Sequence, residues 1–320
     1  MKAFAYRKYG TPTDVLSLEE YPKPVPKENE VLIKVNAWSL NPAEWHRLRA
    51  SIWMLRLSNG LWAPKQPILG ADVAGVVVAV GGKVCSFKVG DRVMGRNFSV
   101  GLAEYACLAE GKTALIPEAI SFEEAATIPL AATTALIALR DKGQIQTGQR
   151  VLINGASGGI GTFAVQLAKH FGAAVTAVCS GKNEALVRLL GSEEVIDYER
   201  EDFSGREPFD LIVDLIGNRP TQELNQALSP TGRCVMVGYS NFKNLLNFLL
   251  KGAWLSKTTA KHFLTMDAET VTADLDFVLN LVSEEAIQVV IDRVYDFSDI
   301  PKAFEYLGTR RAKGKIVIKS

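Results

Sequence analysis

The stretch Val151-Leu152-Ile153-Asn154-Gly155-Ala156-Ser157-Gly158-Gly159-Ile160-Gly161 runs from an apolar strand into a glycine turn. Residues 162–171 then carry apolar side chains at helical spacing and stop at Gly172. Strand, tight turn and helix in this order predict a dinucleotide site. The first amides of a helix lack partners within it and its dipole adds positive charge, so a pyrophosphate suits the turn. Gly158 lets the backbone approach the phosphates, and Gly161 lets helix and strand pack closely. Ala156 stands where the first glycine of G-x-G-x-x-G is expected, and Ser157, Gly159 and Ile160 complete the expected contact surface. A glycine-rich turn without a ligand is the alternative, and the surrounding alternation of elements argues against it.

That alternation runs from Gln149 to about Tyr239. Arg150–Asn154, Ala174–Cys179, Glu194–Asp197, Phe209–Asp214 and residues 233–238 read as strands, with helices starting near Gly161, Lys182 and Pro220. The pattern predicts a parallel, doubly wound sheet with right-handed crossovers. The first 120 or so residues have another texture: β-rich runs at 31–35 and 73–80, prolines at 22, 24 and 26, and frequent glycines. They predict a compact, irregular β-domain. Ser121-Phe122-Glu123-Glu124 is a capping box that opens a helix. The tail adds a helix near 273–282 and a final strand at Lys315–Lys319. The fold class is therefore α/β.

The second strand of the parallel sheet selects the nucleotide. It ends Val178-Cys179-Ser180-Gly181-Lys182-Asn183, without the acid that binds a ribose 2′-hydroxyl in NAD sites. A hydroxyl at Ser180 and a cation at Lys182 suit a 2′-phosphate, and Tyr198 adds a hydroxyl at the end of the third strand. NADPH is the expected cofactor; the bland alternative makes Lys182 a solvated helix-start residue.

The 320 residues exceed one typical domain of about 100–200 residues. Lys and Arg number 36 against 35 Asp and Glu, and a net charge of +1 offers no electrostatic case for nucleic acid or a membrane as the main partner. With 48% hydrophobic and 22% charged residues, the chain has the composition of a globular protein. No apolar run approaches the roughly 20 residues of a membrane span, and the start lacks a signal-peptide pattern. Cys85, Cys107, Cys179 and Cys234 form no Cys-x-x-Cys pair. A reduced cytoplasmic protein without membrane insertion is expected.

Further motifs occur together and in order: Asn41-Pro42-Ala43-Glu44-Trp45, Leu69-Gly70-Ala71-Asp72-Val73-Ala74-Gly75, Val89-Gly90-Asp91-Arg92-Val93, Ala103-Glu104-Tyr105 and Ala125-Ala126-Thr127-Ile128-Pro129. With the glycine turn, they make the chain resemble the medium-chain dehydrogenase/reductase superfamily. Within it, the chain is similar to the zinc-independent quinone oxidoreductase branch that includes zeta-crystallin. The resemblance covers nearly the whole chain. It implies a GroES-like β-rich catalytic domain at 1–121, a Rossmann domain at 122–265 and a return to the catalytic domain at 266–320. It also implies a homodimer. The segment 242–255 departs from the expected glycine-rich loop: it is unusually apolar, either lining a substrate pocket or forming a buried helix, and the buried helix is favoured.

Zinc alcohol dehydrogenases of the superfamily carry a cysteine where this chain has Asn41 and a His-Glu pair where it has Ala71-Asp72. Neither Asn41 nor Ala71 is a zinc ligand of the usual kind, so no metal is expected. His170 and His262 read as structural, and Asp72 as an isolated structural acid. Without a Lewis acid, a conjugated acceptor is the natural substrate, because it delocalises the charge that arrives with a hydride. The resemblance places Asn41 and His46 at the substrate and Thr134 near the nicotinamide, with Gly217 completing the cofactor set. Each has a plainer alternative: a loop-backbone contact for Asn41, a packed imidazole beside Trp45 and Arg47 for His46, and a helix-backbone bond for Thr134. The expected function is NADPH-dependent reduction of a quinone or an α,β-unsaturated carbonyl. A zinc-free alcohol dehydrogenase and a non-catalytic NADPH-binding redox sensor or structural protein are the rivals.

Overall fold

A computed structural model of the chain describes residues 1–50, 55–97, 101–203, 205–266 and 269–320. Two compact units divide it. The first comprises Met1–Thr133, Thr270–Glu285 and Val289–Ser320, and the second Thr134–Glu269 and Ala286–Gln288. The first unit thus extends past residue 121, because the capped helix Phe122–Ala125 packs on the strands Glu30–Leu40 and Ala71–Val80. Ser121 Oγ accepts from the Glu124 amide and the Glu124 carboxylate accepts from the Ser121 amide, the reciprocal bonds expected from the sequence.

In the first unit a seven-stranded sheet is organised around Glu30–Leu40, which pairs antiparallel with Ala71–Val80, Tyr105–Ala109 and the final strand Lys315–Lys319. Ile316 lies opposite Leu40, which sets Lys315 beside the start of the helix Pro42–Arg49. Trp38, Ile33, Leu48, Leu102 and Phe304 fill the core, and the Trp38 indole donates to the Gly101 carbonyl at 2.7 Å.

The second unit is built on a six-stranded parallel sheet. Its order is Glu194–Asp197, Ala174–Cys179, Arg150–Asn154, Phe209–Asp214, Leu228–Met236, His262–Thr265. The order reverses at Arg150–Asn154, the switch point of a doubly wound sheet. Val151, Leu152 and Ile153 are fully buried, as expected for a strand covered on both faces. The fifth strand begins at Leu228 and ends at Met236, displaced from the expected 233–238. Leu228 already pairs with Phe209, and beyond Met236 the Val237 and Gly238 amides turn back to the Asp214 carbonyl.

Residues 242–258 form a single helix, Phe242–Thr258. The expectation that this segment is a buried helix is corrected: only Phe248 and Gly252 are buried. Apolar residues occur nearly all round this sequence, so periodicity alone could not say which side the sheet covers. No helix among the described residues is long and apolar enough to cross a membrane.

Candidate functional site

The turn after Arg150–Asn154 is fixed from three directions. Gly155 adopts φ 92°, a left-handed conformation that favours glycine. The amides of Gly155 and Ala156 both donate to the Val178 carbonyl at 3.1 Å, tying the turn to the neighbouring strand. Asn154 donates through Nδ2 to Asp214 Oδ1 at 2.8 Å and to Asn218 Oδ1 at 3.0 Å. Asp214 Oδ1 also accepts from the Ile216 and Gly217 amides. Burial pushes the Asp214 carboxyl up, against the pull of these bonds.

Gly161 opens the helix Gly161–His170 with no room for a side chain: a Cβ there would stand 2.6 Å from the Ala156 carbonyl carbon. Gly158 differs. A Cβ there would touch only the Gly155 carbonyl oxygen at 3.5 Å, so the backbone faces a space other protein atoms do not fill. Beside it Ser157 Oγ accepts from Asn183 Nδ2 at 2.9 Å, leaving the buried Asn183 Oδ1 without a hydrogen-bond partner. An open glycine face at a helix start and an orphaned buried acceptor at a switch point fit a bound dinucleotide. Gly217 has a structural reason to be glycine: its φ is 61° and a Cβ would meet Tyr239 Cα at 2.5 Å.

Ser180 is buried, Lys182 exposed and Tyr198 more than half exposed. Lys182 lines a cavity of about 490 Å³ together with Arg188 and Arg200 and with the acids Glu184, Asp197, Glu199 and Glu201; Ser180 and Tyr198 adjoin these residues in sequence. The sequence shows no acid at the end of the second strand, yet the third strand brings one there. Asp197 pairs with Cys179 across the sheet, and its carboxylate lies against Gly181. Arg200 Nε stands 3.7 Å from Asp197 Oδ2.

Thr134 lies half-buried on the helix Ile128–Ile137. The back-bond to the helix belongs to its neighbour Thr133, which donates to the Pro129 carbonyl at 2.5 Å.

In the first unit, Asn41 caps the helix Pro42–Arg49 and is 1% exposed. Both ends of its amide are engaged: Oδ1 accepts from Lys315 Nζ at 2.6 Å, and Nδ2 donates to Asp72 Oδ2 at 3.0 Å. Its backbone amide donates to Glu44 Oε2 at 2.9 Å. Lys315 also donates to the Leu40 carbonyl at 3.3 Å and lies 3.9 Å from Asp72, while Arg96 approaches Asp72 at 3.7 Å. Asp72 is therefore not the isolated acid the sequence suggested. Burial pushes the Asp72 carboxyl up and the Lys315 ammonium down, each opposed by the other's charge. The Glu44 carboxyl is pushed up to about 7, by burial first and then by Asp72, with Arg96 and Lys315 opposing.

His46 is half-buried on the same helix, edge-on to Trp45 at 5.2 Å between ring centres. Burial, aided by the Arg310 charge, holds its imidazole below the usual value. At neutral pH it is thus an uncharged ring bearing one N–H. Sequence reasoning missed Glu44, Lys315, Asn183 and Asp197. Glu44 carried a signal in its place three residues after Asn41. Lys315 carried none, because a lysine opening a strand ordinarily reads as solvated. Among the described residues no group of three or more His, Cys, Asp or Glu side chains is placed to hold a metal ion.

A family model described as an alcohol dehydrogenase GroES-like domain matches residues 27–172, and one described as a zinc-binding dehydrogenase matches residues 190–318. The chain is 32% identical to the chloroplast envelope quinone oxidoreductase homolog of Arabidopsis thaliana, covering 100% of this chain and 98% of that protein. It is 36% identical to 2-methylene-furan-3-one reductase of Solanum lycopersicum, covering 99% of this chain and 79% of that protein. Among solved structures, the quinone oxidoreductase from Coxiella burnetii superposes with a TM-score of 0.88 at 32% identity, covering 100% of this chain and 99% of that one. A GroES-like β-domain joined to a doubly wound nucleotide-binding unit, with such relatives, defines an oxidoreductase. The chain belongs to the medium-chain dehydrogenase/reductase family, in its quinone oxidoreductase branch.

Proposed function

We propose that this chain reduces quinones or α,β-unsaturated carbonyls with NADPH and without a metal. The observation that carries the reading is the glycine turn, whose open Gly158 face lies beside the orphaned Asn183 carbonyl. Gly158–Gly161 and Ser157 would hold the pyrophosphate and adjoining ribose. Ser180, Lys182, Tyr198 and Arg200 would meet the 2′-phosphate, with Arg200 offsetting the charge of Asp197. Bound NADPH supplies the hydride. The protein's share is to orient both reactants, exclude water and offer a hydrogen bond to the oxygen that gains negative charge. Lys315 and Asp72 already occupy both ends of the Asn41 amide. We assign the donor role to His46 on the same helix, and its lowered proton affinity keeps the ring neutral near pH 7. Solvent then supplies the proton that completes the reduced product.

The names of the relatives support the acceptor class: a quinone oxidoreductase homolog and a reductase of a methylene-furanone, which is an enone. The deciding experiment measures NADPH oxidation with a panel of quinones, enones and simple ketones. Turnover is expected with the conjugated acceptors alone, and His46→Ala should lower it by about 10²-fold while nucleotide affinity holds. Tight NADPH binding with no acceptor oxidising it faster than buffer would instead mark a redox sensor.

A further inference from the structure

The helix Phe242–Thr258 turns a stripe of large apolar side chains outward: Phe242 is 41% exposed, Leu246 43%, Leu249 45%, Leu250 65% and Trp254 63%. These positions recur at the spacing of one helical face. The opposite face is anchored. Phe248 packs edge-on to Phe263 with ring centres 5.8 Å apart, and a Cβ on Gly252 would stand 2.8 Å from that of Phe263. Thr221 Oγ1 donates to Asn247 Oδ1 at 2.9 Å, and Asn241 Oδ1 caps the helix by accepting from the Asn244 amide at 2.8 Å. The outward stripe is therefore held in place by the fold.

Charge is the second observation. The 17 residues include Lys243, Lys251 and Lys257 and no Asp or Glu. At 100° per residue, Lys243 and Lys257 fall within the arc of the stripe, one at each end, and Lys251 flanks it. Over the whole chain this local excess is hidden in a net charge of +1. Lysines around a Leu-, Phe- and Trp-bearing face, on a helix about 25 Å long, are the pattern of a helix lying in the plane of a lipid headgroup layer. Lysine stems bury along the apolar surface while their ammonium groups reach the phosphates.

We propose that this helix docks the protein on the surface of an anionic phospholipid bilayer. A second copy fits the face poorly. An antiparallel two-fold pairing of the helices sets Lys243 of one copy beside Lys257 of the other, with no acid on either helix to compensate.

The test is co-sedimentation of the full chain with phosphatidylcholine vesicles, with and without phosphatidylglycerol. Binding is expected to the anionic vesicles alone and to weaken as salt is raised. Lys243→Gln and Lys251→Gln should each lower affinity roughly fivefold. Leu250→Glu with Trp254→Glu should abolish binding while thermal unfolding and NADPH affinity stay unchanged. No binding, or equal binding to neutral and anionic vesicles, overturns the proposal. So does self-association in solution that the same double substitution removes, which would assign the face to a second copy. The readout is vesicle binding, so the outcome is independent of whether the proposed reduction is correct.

Discussion

Glu44 offers a sharp test of the buried network around Asn41. Its carboxyl ordinarily titrates near 4.5 and is pushed up to about 7 here, by burial first and then by Asp72. For an acid raised in the folded state, the stability it contributes is fully present below about pH 4.5 and is lost as the pH climbs through about 7. At about 1.4 kcal/mol per pH unit, the whole effect is worth about 3 kcal/mol. Glu44→Gln keeps a side-chain oxygen to accept from the Asn41 amide nitrogen, which lies 2.9 Å from Oε2 in the parent, and it does not titrate. Urea unfolding of both proteins at about pH 5 and about pH 8 isolates the contribution. The variant should match the parent at the lower pH and exceed it by about 2–3 kcal/mol at the higher. A difference that stays constant with pH would show that Glu44 does not titrate between these two values. A variant less stable than the parent at the higher pH would show that pairing of the ionised carboxylate with Arg96 outweighs its burial.

Lys315→Met should destabilise the fold by about 3–5 kcal/mol, since it strands the buried Asp72 carboxylate, and adding Asp72→Asn should recover part of the loss; thermal unfolding of both variants reads this. Lys182→Ala should weaken NADPH about tenfold and leave NADH nearly unchanged, as measured by titration calorimetry. Equal parental affinity for the two nucleotides would count against a 2′-phosphate site there. The purified protein should hold no stoichiometric zinc by elemental analysis, and its activity should survive chelator.

The parallel sheet was legible because its central strands are buried on both faces and read as nearly continuous apolar runs, and because strand and helix patterns alternate along the chain. Ala174–Cys179, Glu194–Asp197 and Phe209–Asp214 begin and end where the residues suggest. The fifth strand was not, because its first pair, Leu228 with Phe209, is separated from the main ladder by an irregularity no local pattern announces. In the site, the glycines at 155, 158 and 161 were legible because their reason is local backbone geometry. Asp197 was not: it sits far along the chain from Gly181 relative to any turn, and only the parallel register between two strands brings its carboxylate there. Lys315 lies 274 residues from Asn41, so its burial follows from the pairing of the last strand with Glu30–Leu40 and from nothing in its own neighbourhood.

That pairing also bears on the expectation that no metal is held at Asn41. A cysteine at position 41 would be a thiolate in a metal site; Asn41 instead presents a neutral carbonyl oxygen, and the Lys315 ammonium occupies it at 2.6 Å. Asp72, whose charge would otherwise be stranded in a dry interior, has its oxygens turned to Asn41, Lys315 and Arg96. A divalent cation entering this cluster would meet two positive charges, Lys315 and Arg96, already set against the buried Asp72 carboxylate.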